Sequence, residues 1–244
     1  MDEWFKDWFN TDEYLAVYSH RDDTDAKKLV DLILKNVNIP CKCRILDLAC
    51  GTGRHSLLFA QKNFNVTAVD LSKHLLSIAK DSAEKSGLNI NFVNADVRSF
   101  CDSAKFYLVV NLFTSFGYFE SDEENFIIFK SAFHHLEDGG FFVLDYFNKN
   151  FVINNLVPFS FDKNKYGEII QKRSIEGNRV VKKITIKQNN IEKHFHESVR
   201  LYQYDELERA IKQTGLKIKK IFGNLSGNFF EPENSPRTII IAQK

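Results

Sequence analysis

Little in this sequence suits a membrane span, a disulfide scaffold or a polyanion-binding surface. No apolar run approaches the ~18 residues that a membrane-spanning helix needs, so no membrane partner is expected. Cysteine is scarce, with four residues at positions 41, 43, 50 and 101. Cys41-x-Cys43 has no second pair or nearby histidine to complete a tetrahedral zinc site. Reduced, buried thiols in a cytoplasmic protein are the expectation. Charge of either sign is not in excess: 33 basic against 32 acidic residues leave a formal charge of +1. That balance provides no global field for nucleic acid or anionic lipid, although a local basic patch remains open. Internal repeats and long low-complexity segments are absent, and the opening MDEWFKDWFN is acidic and aromatic, unlike a signal or transit peptide. Apolar residues, by contrast, make up 43% of the 244 positions and include 23 phenylalanines. This is enough for one large α/β domain, or for one domain with a small insert.

The most informative stretch is RILDLACGTGRHSLLFAQKNFNVTAVD, residues 44–70. A short apolar run, Arg44 to Leu48, suits a buried strand. Ala49-Cys50-Gly51-Thr52-Gly53 follows as a small-residue turn, where backbone approaches a ligand without Cβ interference. A helical pattern starts near Arg54, and a second β-rich run from Asn65 ends on Asp70. Strand, glycine turn, helix, strand and terminal carboxylate make a nucleotide-type βαβ unit. The helix N-terminus offers unpaired N–H groups, and the terminal carboxylate can accept both hydroxyls of a ribose. A dinucleotide site wants a third glycine, where this chain has Ser56. Asp47, four positions before Gly51, would repel a pyrophosphate but could face a cationic amino-acid head group.

The segment DLACGTGRHS therefore resembles motif I of the class I S-adenosylmethionine-dependent methyltransferases, D-x-A/G-x-G-x-G. Asp70, twenty-three residues after Asp47, stands where that family keeps its ribose acid. The resemblance covers residues 41–147 closely and 203–244 loosely. It implies a doubly wound, mostly parallel seven-stranded sheet with helices on both faces and S-adenosylmethionine as cofactor, S-adenosylhomocysteine being the product. The implied cofactor contacts are Asp47, Ala49, Gly51 and Gly53 around the methionine moiety, Asp70 at the ribose, and Leu71, Asp96 and Val97 at the adenine. Asn111 and Leu112 would lie near the methionine ammonium. The family's enzymes for planar amide or adenine nitrogens carry an (N/D)-P-P-(Y/F) motif. Asn111 is followed here by no proline, which argues against those substrates.

Four segments surround that unit. Residues 1–40 read as an N-terminal helical lid: Trp4, Phe5, Trp8 and Phe9 repeat at helical spacing, as do Tyr14 and Tyr18. An amphipathic helix from Asp25 to Val37 follows. In a lid, Tyr18 and Arg21 would reach the cofactor; otherwise these helices only cover a sheet edge. Residues 41–150 form the cofactor-binding core, with further strands at Asn89–Val93, Phe106–Leu112 and Phe141–Phe147. Ser72 and Ser121 are expected helix caps, and Asp138-Gly139-Gly140 an expected helix stop. Residues 151–202 read as an antiparallel β insert of three strands, over Glu168–Tyr202, with Lys172, Arg173, Arg179, Lys182, Lys183 and Lys187 forming a positive face. Residues 203–244 supply a helix capped by Asp205 and two closing strands. The His194-Phe195-His196 pair lacks a nearby third ligand, so no metal is expected.

The implied reaction is in-line displacement at a sulfonium methyl. His20, His55 and Tyr118 are the candidate general bases, needed only if the nucleophile arrives protonated. A small-molecule acceptor is expected, with protein or RNA as the alternative. Two rival functions are a non-catalytic S-adenosylmethionine-binding protein and a NAD-type oxidoreductase.

Overall fold

The computed structural model describes residues 3–18, 23–189 and 191–244. Its elements run α1 (Trp4–Trp8), α2 (Asp12–Val17), α3 (Asp23–Asn36), β1 (Arg44–Leu48), α4 (Arg54–Gln61), β2 (Asn65–Asp70), α5 (Lys73–Lys85), β3 (Asn91–Asn94), β4 (Phe106–Asn111), α6 (Asp122–His135) and β5 (Leu136–Phe147). There follow α7 (Lys149–Asn154), β6 (Phe159–Asn164), β7 (Gly167–Glu176), β8 (Arg179–Gln188), β9 (Ile191–Arg200), α8 (Tyr204–Gln213), β10 (Lys217–Phe222) and β11 (Arg237–Gln243).

Seven strands form one sheet in the order β10-β11-β5-β4-β1-β2-β3. β1 to β5 are parallel, and β11 runs antiparallel between β5 and β10. Strands buried on both faces read as continuous apolar runs, because alternate side chains enter opposite layers. Ile45, Val66, Leu108 and Val143 pack with Leu29 and Ile33 of α3 and Phe59 of α4. Leu46, Leu48, Phe142 and Leu144 face Phe129 of α6 and Leu207 and Ile211 of α8. Each fully buried side chain of this kind contributes about 1.5–3 kcal/mol. This is the Rossmann-like methyltransferase fold that the motif resemblance implies, with its strand order reversing between β1 and β4. Ligands of open α/β sheets bind at such a switch point, outside the carboxyl ends of the strands.

A second sheet, β6-β7-β8-β9, is antiparallel throughout. It has four strands where the sequence reading expects three. The extra strand, β6, pairs Phe159–Asn164 with β7 through a tight turn at Lys165-Tyr166. Its outer face leaves Phe159 and Phe161 exposed, so it lacks the inward apolar alternation that marks a half-buried strand. The N-terminal aromatics cover this sheet: Trp4, Phe5, Trp8 and Val17 pack on Ile169, Ile184 and Ile186. Arg179 and Lys182 leave the expected positive face. Arg179 donates to the Phe119 and Ser198 carbonyls, and Lys182 pairs with Glu197.

Two boundaries also differ. β5 begins at Leu136, so Asp138-Gly139-Gly140 lies inside an irregular strand entry and does not separate helix from strand. The helix expected to be capped by Asp205 starts two residues earlier, at Tyr204 with Gln203 as its N-cap, and the Glu206 carboxylate accepts from the Gln203 N–H at 2.7 Å. Ser72 and Ser121 cap α5 and α6, accepting from the Leu75 and Glu124 N–H groups. No helix among the described residues is long and apolar enough to cross a membrane.

Candidate active site

The turn after β1 passes three times through left-handed backbone, at Ala49 (φ 60°), Gly51 (φ 58°) and Gly53 (φ 76°). The two glycines serve different ends. A Cβ on Gly53 would meet the Ala79 Cβ at 3.0 Å, so this glycine lets α5 approach the turn. A Cβ on Gly51 would meet nothing within 4 Å and would project into open space. Beside it the Asp70 carboxylate accepts the Gly51 N–H at 2.7 Å and the Ser72 N–H at 2.8 Å. Burial raises the Asp70 carboxyl above the usual range, although its backbone hydrogen bonds work against that shift. A carboxylate has about four acceptor positions, and the Leu71 N–H also bears on this one, so part of its accepting capacity remains for an incoming hydroxyl.

Asp47 faces away from the cavity. It is 1% exposed and accepts the Ser56 hydroxyl at 2.6 Å, fastening β1 to α4. Burial pushes its carboxyl up to about 7, a shift the Ser56 hydrogen bond reduces and nearby Asp70 increases. Asn111, fully buried at the end of β4, donates through Nδ2 to the Leu48 and Ser115 carbonyls at 2.9 and 3.0 Å. Its Oδ1 has no partner among the described residues.

The turn after β4 is strained, since Phe113 (φ 57°) and Thr114 (φ 65°) are successive left-handed residues that are not glycine. Asp145, 0% exposed on β5, holds it by accepting the Phe113 N–H at 2.9 Å, while its own carbonyl accepts the Thr114 N–H at 3.0 Å. Arg237 grips the same carboxylate with two bonds, Nε at 2.5 Å and Nη2 at 2.8 Å. The Phe113 ring then lies 5.4 Å from the His55 ring, with the Arg54 and Arg237 guanidiniums over it at 4.9 and 5.3 Å. His55 is 5% exposed, and its Nε2 has no partner among the described residues. Burial, reinforced by Arg54 and Arg237, drives its imidazole down to about 3, so it is neutral at physiological pH.

One cavity joins these parts. Cys50 to His55 and Leu112 to Ser115 form its floor, Trp4, Phe9, Tyr14, Leu15 and Tyr18 its roof, and Glu197 and Val199 a side wall. Of the residues singled out from sequence, Tyr18, Gly51, His55, Leu112 and Tyr118 meet there. Tyr118 donates its hydroxyl to the Thr114 carbonyl at 2.8 Å and packs against Trp4 at 5.3 Å. Asp70, Leu71, Asp96 and Val97 lie beyond the cavity's edge. Above Asp70, the Ser72 hydroxyl sits 2.7 Å from the Phe9 carbonyl and 2.9 Å from Asn10 Oδ1. Asp96 binds Arg98 through Nε and Nη2. Burial alone would raise that carboxyl, but the Arg98 hydrogen bonds outweigh it and hold it below the usual range. His20 and Arg21 fall outside the described residues. Among the described residues no group of three or more His, Cys, Asp or Glu side chains could hold a metal ion.

Sequence reasoning gave no site role to Asp145, Arg237 or Glu197, and read Lys182 as part of a positive face. The first two lie 92 residues apart. Glu197 and Lys182 sit in polar strands that read as a solvated surface. Only a strict inward-outward alternation along Lys193–Val199 could have marked Glu197 as inward.

Residues 45–140 match the methyltransferase domain family. The Bacillus subtilis (strain 168) protein YqeM is 36% identical over 124 residues, covering 50% of this chain and 49% of that protein. Over residues 45–140 the chain therefore carries a methyltransferase domain of that family. A Streptomyces venezuelae protein named dTDP-3-amino-3,4,6-trideoxy-alpha-D-glucopyranose N,N-dimethyltransferase is 31% identical over 121 residues, covering 50% of this chain and 48% of that one. The chain thus spans about half the length of the curated relatives it matches. Likeness in fold extends further. A crystal structure of an S-adenosylmethionine-dependent methyltransferase from Clostridium acetobutylicum ATCC 824 superposes with a TM-score of 0.81, at 23% identity, over 94% of both chains.

Proposed function

We propose that this methyltransferase moves the methyl group of S-adenosylmethionine to a small molecule held beneath the N-terminal aromatic roof. The observation that carries this reading is the Asp70 carboxylate, fixed by the Gly51 and Ser72 N–H groups beside a glycine whose Cβ direction is open space. The residues present fit the cofactor. Asp70 retains accepting capacity for a ribose hydroxyl. Asn111 Oδ1, buried without a partner, is the acceptor an ammonium would satisfy. Leu71, Asp96 and Val97 line the adenine side. Asp70 is 7% exposed and Ser72 is held under Phe9 and Asn10, so the adenosine half enters only when that segment lifts.

When bound, S-adenosylmethionine supplies a methyl group on a sulfonium that already leaves readily. The protein's task is therefore mainly alignment and exclusion of water, and orientation alone can supply several kcal/mol of the barrier. His55 lines the cavity with a neutral imidazole, but the burial and the Arg54 and Arg237 charges that drive it down to about 3 make it a weak proton acceptor. It therefore suits a nucleophile that arrives already deprotonated, as part of the wall and not as a base. Tyr118 has its hydroxyl proton committed to Thr114 and serves better as a wall. The name of the Streptomyces venezuelae relative, and the enclosure of the cavity by aromatic side chains, support a small acceptor over a protein or RNA.

Thermal unfolding with S-adenosylhomocysteine, S-adenosylmethionine, NADH or buffer alone tests the cofactor. A ligand at ~100 times its dissociation constant adds about 2.7 kcal/mol, which moves the midpoint by several degrees. Both adenosyl ligands are expected to raise it and NADH is not. A rise with NADH alone overturns the reading.

A further inference from the structure

Glu197, on β9, is the one acidic side chain among the described residues of the cavity wall. Three donors reach its carboxylate. Trp8 Nε1 donates to Oε1 at 2.8 Å, Lys182 Nζ lies 2.8 Å from Oε2, and the Tyr18 hydroxyl lies 2.6 and 2.7 Å from the two oxygens. A hydroxyl has one proton and satisfies one of those contacts at a time. An ionised carboxylate has about four acceptor positions, so among the described residues one stays open, on a side chain only 9% exposed. Burial by itself would raise this carboxyl. The Lys182 charge and the hydrogen bonds from Lys182, Tyr18 and Trp8 outweigh burial and hold it ionised, below the usual range.

A purely structural role is the simpler account, because the network ties α1 and α2 to the second sheet. Two further features of the same cavity point past it. Trp4 lines the cavity, and its indole Nε1–H is buried with no acceptor among the described residues. Leaving such a donor unsatisfied costs about 1–3 kcal/mol unless something else accepts its hydrogen bond. The remaining roof, Phe9, Tyr14 and the wall at Tyr118, presents aromatic faces suited to a flat or weakly polar ring. One open acceptor position, one unsatisfied donor and aromatic faces between them describe a ligand that itself carries both a donor and an acceptor. Near Glu197 a carboxylate or phosphate would meet like charge, with Lys182 already committed to that side chain, and Arg54, the cation of the cavity floor, belongs to the cofactor turn and not to the Glu197 wall.

We propose that Glu197 positions the methyl acceptor, and that the acceptor is a neutral or cationic ring compound giving an N–H or O–H to Glu197 and an acceptor atom to Trp4 Nε1. The assignment rests on the methyl-transfer reading above, and its test separates the two.

The test follows the thermal midpoint of the full chain saturated with S-adenosylhomocysteine, titrated with glucosamine and benzylamine as donor-bearing probes and with benzoate and inorganic phosphate as anionic ones. Wild type, Glu197→Gln and Trp4→Phe are compared. At millimolar concentrations the donor-bearing probes are expected to raise the wild-type midpoint and the anions are not. Glu197→Gln should weaken the apparent probe affinity at least tenfold, and Trp4→Phe several-fold, while the dissociation constant of S-adenosylhomocysteine stays within twofold of wild type in both. A merely structural Glu197 predicts a lower midpoint with unchanged probe affinity. Trp4→Phe keeps an aromatic ring at this position while removing the unsatisfied N–H together with one ring of the indole, so its probe affinity is read against its own S-adenosylhomocysteine affinity and asks the same question if Glu197→Gln does not fold. Unchanged probe affinity in the variants overturns the proposal. So does preferential binding of the anions, or the absence of any shift with both donor-bearing probes. Failure of S-adenosylhomocysteine to bind the wild type overturns the methyl-transfer reading itself.

Discussion

Replacing Arg237 by alanine should be one of the most damaging single changes in this protein. Its partner Asp145 is 0% exposed, and the guanidinium supplies two of the donors to that carboxylate, at 2.5 and 2.8 Å. Removing one member of a buried, hydrogen-bonded pair leaves an uncompensated charge and costs about 3–5 kcal/mol. The Arg237 side chain is 19% exposed, so water can reach the vacated position and the lower end of that range applies. In a chain of this size 1 kcal/mol moves the thermal midpoint by about 2–4 °C, which gives an expected drop of roughly 6–12 °C. The loss also reaches the site. Asp145 is what holds Phe113 and Thr114 in left-handed backbone, a conformation that costs roughly 1–2 kcal/mol per residue. Weaker S-adenosylhomocysteine binding is therefore expected alongside the lower midpoint. Adding Asp145→Asn to Arg237→Ala removes the stranded charge and keeps an acceptor for the Phe113 N–H, so it should recover part of the stability. Unfolding followed by circular dichroism reads all three variants. An Arg237→Ala midpoint within about 2 °C of wild type would show that the pair contributes no more than a surface salt bridge.

Two further predictions concern the turn after β1. Asp47 has a folded-state pKa of about 7, above its unfolded value, so its protonated form contributes stability that is lost as pH rises from ~4 through 7. His55 is displaced the other way, to about 3, so stability is lost as pH falls from ~6.5, where the unfolded chain takes up a proton the native state refuses. The two slopes, each about 1.4 kcal/mol per pH unit, oppose one another between roughly pH 4 and 6.5. Asp47→Asn should therefore make stability rise more steeply with pH in that window than in wild type, and His55→Gln should make it fall; parallel urea-unfolding curves for all three proteins would refute both shifts. The glycines should separate stability from binding. Gly51→Ala is expected to cost about 1 kcal/mol for its left-handed backbone while sharply weakening S-adenosylhomocysteine in calorimetry. Gly53→Ala should cost more stability, because its Cβ meets Ala79 at 3.0 Å, and equal effects of the two changes on binding and on unfolding would remove the distinction.

The parts of this molecule that could be read from sequence are those built from neighbours. Arg44 to Asp70 is a continuous unit whose strand, turn and helix each carry a local signal, and the structure reproduces its order and bounds. Side-chain direction was less accessible. Asp47 reads as a group near the ligand, and its hydrogen bond with Ser56 of α4 is a contact the sequence pattern did not indicate. Strand count failed at β6, whose apolar residues face solvent and give no inward alternation.

The same distinction separates what the family match says about the cofactor from what it leaves open about the acceptor. The residues proposed to hold S-adenosylmethionine come mostly from strand ends between positions 47 and 112, inside the matched segment 45–140. The side chains that enclose the rest of the cavity are drawn from the first eighteen residues and from β9, joined by contacts such as Trp8 to Glu197 across 189 positions. Such contacts leave no periodic signal, since each partner is polar or aromatic in a segment that reads as surface or as packing. They also lie outside the segment that defines the family, so relatives can share the Gly51 turn and Asp70 while differing at Trp4, Tyr18 and Glu197. If Glu197 and Trp4 hold the acceptor as proposed, substitutions in the second sheet and the N-terminal helices should change which molecule is bound before they change whether S-adenosylhomocysteine binds at all.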